Sequence, residues 1–287
     1  MDWLWNHIDS PDIRHFLVAI YFAFFFTGAR FLLEKFVFPK FSIWLMSCGA
    51  ARPKLTDATR AKINKCSESM WKFTYYATIE AYVLTIMFRD SWLWVPKEYF
   101  SGWPNQELRV SLKLYYMCQC GFYIYSIPTL LAWDSRRKDF PMLISHHVIT
   151  VLLIGLSYMS RLFRIGTVTM ALHDASDIFL EWAKIFKYSG MELPASVLFG
   201  IFAMSWLLLR LTFFPLWVIK YSSYDLCQVL DLSEAYPKLL YYIFNTSLLT
   251  LFMFHIYWGA LIWRMIMQQL MNRGRVGEDA RSDSDDD

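Results

Sequence analysis

The sequence predicts an all-α, polytopic membrane protein with seven transmembrane helices. Its 287 residues are 56% apolar and 19% aromatic, and the mean hydropathy is +0.29. Apolar runs close to 20 residues long recur along the chain, and a helix of that length crosses the hydrocarbon core of a bilayer. Lipid-exposed backbone must satisfy its own hydrogen bonds, which favours helices over open strands. The spans are predicted at about residues 13–36, 71–95, 112–133, 140–160, 165–186, 195–219 and 238–267.

The first apolar run is predicted to be an uncleaved span. Residues 1–12 are polar and short, and Trp3 and Trp5 suit a membrane interface. They lack the basic region, short apolar core and small-residue cleavage site of a signal peptide. Because the first span is uniformly apolar, we expect it to stand apart from the other helices.

Polar segments divide the rest of the chain. Pro128 should kink or end the third span, and residues 220–237 form a polar loop between the last two spans. The final residues end in the acidic run SDSDDD, which predicts disorder. The predicted divisions are residues 1–36 with the first helix, a polar, partly helical cytosolic loop at 37–69, a six-span region at 70–270, and a disordered acidic cytosolic tail at 271–287.

The distribution of basic residues predicts the orientation of the chain. Seven spans place the two termini on opposite sides of the membrane. Lys and Arg residues in the loops and span ends are roughly twice as frequent on the side of the C-terminus, and cytoplasmic loops carry such an excess. We therefore expect the C-terminus in the cytosol and the N-terminus in a lumen or outside.

Ionisable side chains interrupt the two central spans. His146 and His147 lie about 9–10 Å from the cytosolic end of the fourth span at 1.5 Å per residue. Asp177 lies about 12 Å from the same face on the antiparallel fifth span, and His173 and Asp174 lie close to it. Ionisable groups at membrane depth are costly and indicate a functional site. The alternative is a buried polar network that only joins these two helices.

These residue types suit acid–base or nucleophilic chemistry. A carboxylate beside a histidine orients the ring and supports it as a general base or nucleophile. Adjacent helical residues point about 100° apart, so His146 and His147 should have different roles, and the sequence does not decide which one reacts. On the fifth span, Glu181 continues the stripe that His173 and Asp177 begin.

Other polar residues within the spans have structural as well as functional interpretations. Glu80 suits either a site or a packing partner for Tyr or Arg, and His255 suits an interhelical hydrogen bond. Arg210 suits either a functional role or, as the favoured interpretation, a side chain that snorkels to the interface. The second, third and seventh spans should line a cavity because polar residues interrupt them. These residues are Glu80, Gln119, Tyr123, Asn245 and His255.

Several classes of site are not predicted. The chain has six histidines, fewer than intramembrane di-iron oxidases generally use, so we expect no metal. It has neither a GxxxxGK[ST] loop nor a GxSxG elbow. The five cysteines include no CxxC pair, which favours reduced thiols over a disulfide framework.

Four motifs resemble one known family. RRKDF at 136–140, HHVIT at 146–150, RIGT at 164–167 and LHDASDIFLEWAKIFKY at 172–188 are similar to the Lag motif of ceramide synthases, within the TLC domain. The resemblance is dense over residues 134–188 and weaker from about 65 to 270. No homeobox-like insertion follows the first span, so the chain looks like the plant-type members.

The resemblance implies a fold and an activity. Spans two to seven would form a six-helix TLC barrel around a long cavity, with the first span outside. The enzyme would transfer the acyl group of a fatty acyl-CoA to the amine of a sphingoid base such as sphinganine or phytosphingosine. It would do so in the endoplasmic reticulum membrane, with acyl-CoA as co-substrate and no cofactor. The implied catalytic set is His146, His147, His173, Asp174 and Asp177.

The remaining expectations concern substrates and partners. Arg136, Arg137 and Lys138 are predicted to bind the CoA phosphates, as are Arg52 and Lys54. Glu181 and His255 complete the predicted substrate-binding set, and the loop at 220–237 would set acyl-chain preference by the same resemblance.

The predicted partners are membrane lipid and a second subunit, which would be another copy in a homodimer or a homologue in a heterodimer. Nucleic acid is not a predicted partner. Direct attack by the amine and an acyl-histidine intermediate both remain open. A non-catalytic lipid-binding or lipid-transport protein of the same domain type is the second functional hypothesis.

In the C-terminal tail, Ser282 and Ser284 match the pattern that acidophilic kinases phosphorylate. The alternative is a solvated tail without phosphorylation.

Overall fold

The computed structural model describes residues 10–49, 56–89, 95–132 and 138–271. All regular secondary structure in these ranges is helical, which confirms the predicted all-α class. The ends, including Trp3, Trp5, Ser282 and Ser284, lie outside the described residues. The helices are α1 (Phe16–Phe36), α2 (Phe38–Gly49), α3 (Asp57–Met87), α4 (Val110–Ala132), α5 (Phe140–Met159), α6 (Phe163–Tyr188), α7 (Glu192–Ser205), a π-helical segment (Trp206–Ile219), α8 (Lys220–Tyr224), α9 (Leu226–Val229) and α10 (Ala235–Met271).

Among the residues that the structure describes, four helical stretches are long and apolar enough to cross a membrane. They are Ile13–Phe36, Phe140–Met159, Glu192–Val229 and Ala235–Met271. Helices α4 and α6 coincide with the third and fifth predicted spans, and α3 overlaps the second but starts earlier and ends at Met87. These three helices contain more polar residues. The structure is therefore that of a multi-pass membrane protein, and the count of seven spans stays a prediction.

Several helix ends differ from those expected. The polar segment predicted at 37–69 contains α2 and the first turns of α3. Helix α3 begins at Asp57 because the Thr56 hydroxyl accepts a hydrogen bond from the backbone N–H of Thr59, at 3.3 Å. The segment predicted as a loop at 220–237 likewise contains α8, α9 and the start of α10.

Pro128 does not end its helix. Helix α4 continues through it to Ala132, and hydroxyl groups bind backbone carbonyls on either side. Ser126 donates to the carbonyl of Phe122 at 2.8 Å, and Thr129 donates to that of Ser126 at 2.9 Å. The carbonyl that loses its helical donor at Pro128 is that of Ile124, and membrane helices tolerate such a proline where neighbouring helices pack against it.

Helix α1 does not stand apart, contrary to the sequence-based expectation. It packs on α4 at Gly121, where a Cβ atom would lie 2.5 Å from the carbonyl oxygen of Ala19. Near its other end, Arg30 donates to the Tyr125 hydroxyl at 3.1 Å. Glycine allows the two backbones to approach closely, and the buried arginine adds a polar contact that apolar periodicity does not reveal.

The turn between α5 and α6 is held by a tyrosine from α4. The Tyr116 hydroxyl donates to the carbonyl of Phe163, and the Ser157 hydroxyl lies equally close, both at 2.9 Å. A Cβ atom at Gly166 would lie 2.1 Å from the Tyr116 hydroxyl oxygen and 2.2 Å from that of Ser157. Only glycine therefore lets α6 begin this close to α4 and α5.

Replacing Gly166 with alanine should destabilise the protein by about 1–3 kcal/mol, the usual cost of overpacking. The side chains in contact are buried, and hydrogen bonds to the carbonyls of Phe163 and Leu162 hold the Tyr116 and Ser157 hydroxyls in place. The measurement is thermal unfolding of the purified protein in detergent. Gly200→Ala in α7 is the matched control, because nothing lies within 4 Å of its added Cβ atom. Equal unfolding temperatures for the two variants would contradict the packing argument.

Two apolar clusters meet between these helices. The larger includes Trp71 and Tyr75 of α3 and Phe122 of α4. The smaller joins α7, the π-helical segment and α10, and includes Trp206 and Trp258. The space between the clusters holds most of the ionisable residues singled out from the sequence.

Candidate functional site

A cavity of about 110 Å³ lies where the two apolar clusters meet. Helix α5 contributes His146 and His147 to its wall, and α6 contributes Asp177 and Glu181. The π-helical segment contributes Arg210. The arrangement brings two imidazoles, these two carboxylates and a guanidinium to one cavity, whose wall also includes the Asp139 carboxylate and two further cations.

His146 and His173 lie side by side across the α5–α6 interface. Their ring centroids are 6.2 Å apart and the rings are inclined by 27°. The edge of Trp258 contacts His146 at 5.4 Å between centroids. The Trp258 indole N–H in turn donates to the carboxylate of Asp139 at 2.8 Å. This contact ties the N-terminal end of α5 to α10 and limits how the His146 ring can turn.

Backbone carbonyls select the tautomers of two histidines. His147 Nδ1 lies 2.7 Å from the carbonyl of Leu143, and His173 Nδ1 lies 2.6 Å from that of Thr169. A carbonyl oxygen only accepts, so each Nδ1 carries the proton and a neutral ring keeps its lone pair on Nε2. His147, which lines the cavity, can therefore act as a base or nucleophile through Nε2, whereas Nε2 of His173 faces His255.

His255 lies behind His173, away from the cavity. It is 0% exposed, and the two Nε2 atoms are 2.8 Å apart. Because His173 Nε2 carries the lone pair, His255 Nε2 is the donor. His255 therefore orients His173 and is not a wall residue of the cavity. Among the described residues, the Nδ1 atoms of His146 and His255 have no hydrogen-bond partner, unlike those of His147 and His173.

Arg210 is a cavity residue whose position differs from the one expected from the sequence. It is 3% exposed, so the prediction that it snorkels is wrong. Its guanidinium donates to the backbone carbonyl of His173 at 2.6 Å, to the Asp177 carboxylate at 2.8 Å and to the Ser176 hydroxyl at 2.9 Å. It also lies 4.3 Å from the ring centroid of Trp206. The sequence feature that could have indicated its place in the site was a charged residue within an apolar run.

The π-helical backbone aims Arg210 at α6. The segment contains Pro215, which lacks a backbone donor, and the N–H of Lys220 reaches the carbonyl of Pro215, five residues earlier. The Thr212 hydroxyl also donates to the carbonyl of Leu207 at 2.9 Å. Such π-helical turns are rare and frequently mark functional sites. The wider turn changes the rotation of the side chains relative to an α-helix.

The two aspartates of α6 face different partners. Asp174 is 1% exposed and accepts a hydrogen bond from the Gln119 amide. Gln119 accepts from the Tyr75 hydroxyl at 2.9 Å and donates to the Tyr115 hydroxyl at 3.1 Å. This chain ties α6 to α3 and α4, whereas Asp177 lines the cavity with Arg210. Asp174 therefore supports the site from outside.

The predicted substrate-binding residues are distributed unevenly. Glu181 lines the cavity and pairs with Lys184 at 2.7 Å. Lys138 is exposed. Arg136 and Arg137, like Arg52 and Lys54, lie outside the described residues.

Two cations that the sequence analysis did not single out line the cavity. They are Arg30 of α1 and Lys72 of α3. Arg30 pairs with Glu34 at 2.7 Å, and Lys72 pairs with Glu68 at 2.6 Å. Neither the span positions nor the loop motifs indicate that these side chains reach the site.

A second pocket, of about 30 Å³, continues beyond His173. Its wall is apolar, with Phe244, Leu248 and Leu251 from α10, and Tyr123 lines both spaces. Within the described part of the chain, no group of three His, Cys, Asp or Glu side chains could hold a metal ion. The five cysteines are free thiols. The site thus combines a polar chamber with an apolar extension.

Comparison with known proteins gives a consistent result. Residues 65–264 match the TLC domain. Ceramide synthase LOH2 of Arabidopsis thaliana is 56% identical over 97% of this chain and 94% of its own length. ASC1-like protein 3 of Oryza sativa subsp. japonica is 53% identical over 98% and 99%. Ceramide synthase 4 of Mus musculus is 38% identical over 76% of this chain and 54% of its own. The chain therefore belongs to the TLC domain family, in the branch of the plant ceramide synthases.

Proposed function

We propose that this protein is a ceramide synthase that transfers the acyl group of a fatty acyl-CoA to the amine of a sphingoid base. The observation that carries the proposal is the pair His146 and His147 facing one cavity beside the Asp177–Arg210 ion pair. The names of the similar proteins point to the same reaction.

The residues suit each step of this reaction. The amine nitrogen attacks the thioester carbonyl carbon, the C–S bond breaks, and the CoA thiolate departs. His147 takes a proton from the amine through Nε2, the atom that its Leu143 contact leaves with the lone pair. The guanidinium of Arg210 faces the same cavity and stabilises negative charge on the thioester oxygen.

A two-step route uses the same groups. A histidine nitrogen attacks the thioester first, CoA thiolate leaves, and the amine then displaces the histidine from the acyl group. A burst of CoA release without sphingoid base would favour this route. A single-turnover experiment without such a burst would favour direct attack.

The two spaces suit the two parts of the acyl donor. We infer that the thioester lies in the polar chamber and that the acyl chain extends past Tyr123 into the apolar pocket beside Leu248 and Leu251. Enclosure by helices excludes water, which protects the thioester from hydrolysis. Lys72 and Arg30 would meet CoA phosphates at the other end of the chamber, together with Arg136, Arg137 and Lys138.

We further propose the finer architecture implied by the sequence. Helices from α3 to α10 supply six spans that form a TLC barrel, and α1 packs against it as a seventh. The chain would lie in the endoplasmic reticulum membrane with a cytosolic C-terminus, which the excess of basic residues on that side supports. Reporter tags on the two termini, assayed by protease protection of sealed microsomes, test this orientation.

Membranes containing the protein should convert acyl-CoA and sphinganine to ceramide. The host should lack its own ceramide synthase, and donors of several chain lengths should be supplied. Lipid mass spectrometry measures the product, and membranes with empty vector are the control. If purified protein binds these substrates but yields no ceramide with any donor, the non-catalytic lipid-binding hypothesis replaces the proposal.

A further inference from the structure

An apolar groove of about 210 Å³ lies on the opposite side of α6 from the histidine cavity. It is bounded by α3, α6 and the π-helical segment. On α6 its wall is Val168, Ala171, Leu172 and Ala175, which recur at the 3- and 4-residue spacing of one helix face. The two alanines leave the space that larger side chains would fill.

One carboxylate stands in this otherwise apolar groove. Glu80 of α3 lines it and is 9% exposed. Its Oε2 atom has no hydrogen-bond partner among the described residues, and no Lys or Arg from that part of the chain lines the groove. A buried carboxyl group without a donor or a cation is costly at membrane depth. Packing alone gives no reason to keep it there.

The groove has the length of a substantial part of a lipid chain. It extends from Glu80 to Phe88 on α3 and from Ala175 to Val168 on α6. At 1.5 Å per residue, these stretches are about 12 Å and 10 Å long. Glu80 and Ala175 mark one end; Ala175 lies near the middle of α6, and Glu80 lies about two turns before the end of α3. Phe88 lies just beyond the C-terminal end of α3 and Trp217 near the end of the π-helical segment, so the other end of the groove lies near two helix ends.

The chemistry of the groove selects its occupant. An apolar channel with a carboxylate at its inner end is complementary to a single long hydrocarbon chain that carries one positive charge. Neutral lipids would leave Glu80 without a partner, and anionic lipids would be repelled.

We propose that this groove binds the long-chain amine, a sphingoid base, with its ammonium group at Glu80, before the amine reaches the histidine cavity across α6. This inference rests on the proposed function for the identity of the amine. The groove is separate from the cavity that holds His146 and His147, so the two sites can be examined independently.

Photoaffinity labelling tests the groove directly. The probe is sphinganine with a diazirine near the end of its chain, added to full-length protein in phosphatidylcholine vesicles. Labelled peptides should contain Phe88, Phe213 or Trp217, and unlabelled sphinganine should compete. An analogue with hydroxyl in place of the amine should not compete. Labels restricted to the histidine cavity, or full competition by the hydroxyl analogue, would overturn the proposal.

Three variants make the result specific. Glu80→Gln keeps the shape of the side chain but removes its charge, and should reduce groove labelling at least about tenfold. Leu84→Trp should fill the groove and reduce labelling by a similar factor. Because it leaves Glu80 unchanged, it shows whether the loss of labelling reflects loss of groove binding and not only a structural change at residue 80. Glu107→Gln is the control, because Glu107 is exposed and pairs with Arg109 at 3.2 Å. Equal labelling of Glu80→Gln and Glu107→Gln would refute the charge argument.

The kinetics separate this proposal from the proposed function. In Glu80→Gln, the apparent KM for sphinganine should rise several-fold while that for acyl-CoA stays unchanged. The inactive His146→Ala variant should still label in the groove. Ceramide formation without groove labelling would refute the groove alone. Groove labelling in a protein that makes no ceramide would refute the enzyme assignment alone.

Discussion

Replacing His147 with alanine should reduce ceramide formation by about 10²–10⁴-fold, the range for losing a general base, while the protein still accumulates in the membrane. The reason is the tautomer set by Leu143, which leaves the lone pair of His147 on Nε2. Loss of an acyl-histidine nucleophile would have an effect at least as large. The measurement is kcat under saturating acyl-CoA and sphinganine.

The control for this variant is Ser145→Ala. Ser145 lies on the same helix but is exposed, and its hydroxyl only donates to the carbonyl of Pro141 at 2.8 Å. Its activity should match wild type. His146→Ala, on the neighbouring face, should also lose activity, but only the reacting histidine should abolish a CoA burst in the absence of amine. A His147→Ala variant with wild-type kcat would refute its catalytic assignment.

Loss of Arg210 should damage both stability and activity. Arg210→Met leaves the Asp177 carboxylate without its cation and the His173 carbonyl without this donor. Breaking such a buried pair from one side costs on the order of 3 kcal/mol, the low end of the usual range because Asp177 is 21% exposed. Thermal unfolding in detergent measures the first effect. Ceramide formation at a temperature where the variant is folded measures the second.

Arg210→Lys should not restore the enzyme. Lysine has a single ammonium group in place of the planar guanidinium. It cannot donate to Ser176, Asp177 and the His173 carbonyl in the same geometry. The variant should unfold less readily than Arg210→Met but remain impaired in kcat. Full activity in the lysine variant would show that charge alone is required.

A double-mutant cycle with Asp177→Asn isolates the ion pair. The double variant Arg210→Met/Asp177→Asn should be more stable than the sum of the single effects predicts, with a coupling of about 0.5–3 kcal/mol. Arg264→Met is the control, because Arg264 is exposed on α10. Strictly additive effects of the Arg210 and Asp177 substitutions would mean that the contact at 2.8 Å contributes nothing to folding.

The positions of these residues along their helices were predictable, and their orientations were not. The 1.5 Å rise is a local property, so the sequence alone places His146, His173 and Asp177 at one depth. Whether a side chain faces the cavity depends on how each helix is rotated against its neighbours. Asp174 and Asp177 illustrate the difference. They are three residues apart on α6, but Asp174 contacts Gln119 and Asp177 contacts Arg210.

Arg210 and His255 show why a single span cannot be interpreted in isolation. An arginine near a span end can snorkel or turn inward, and the choice depends on whether a partner is present. Its partners lie on α6, more than thirty residues earlier in the chain. His255 likewise depends on His173, eighty-two residues away. Neither contact leaves a signal in the local periodicity.

The sequence by itself determined the all-α class, the apolar character of the long helices and the common level of the central histidines and aspartates on α5 and α6, because hydropathy and helical rise are properties of short segments. The tertiary structure alone decided that α1 packs on α4, that Arg210 joins the π-helical segment to α6, and that Glu80 lines a groove separate from the histidines. Those outcomes depend on interhelical packing, where a glycine such as Gly121 or a buried charge changes which faces meet.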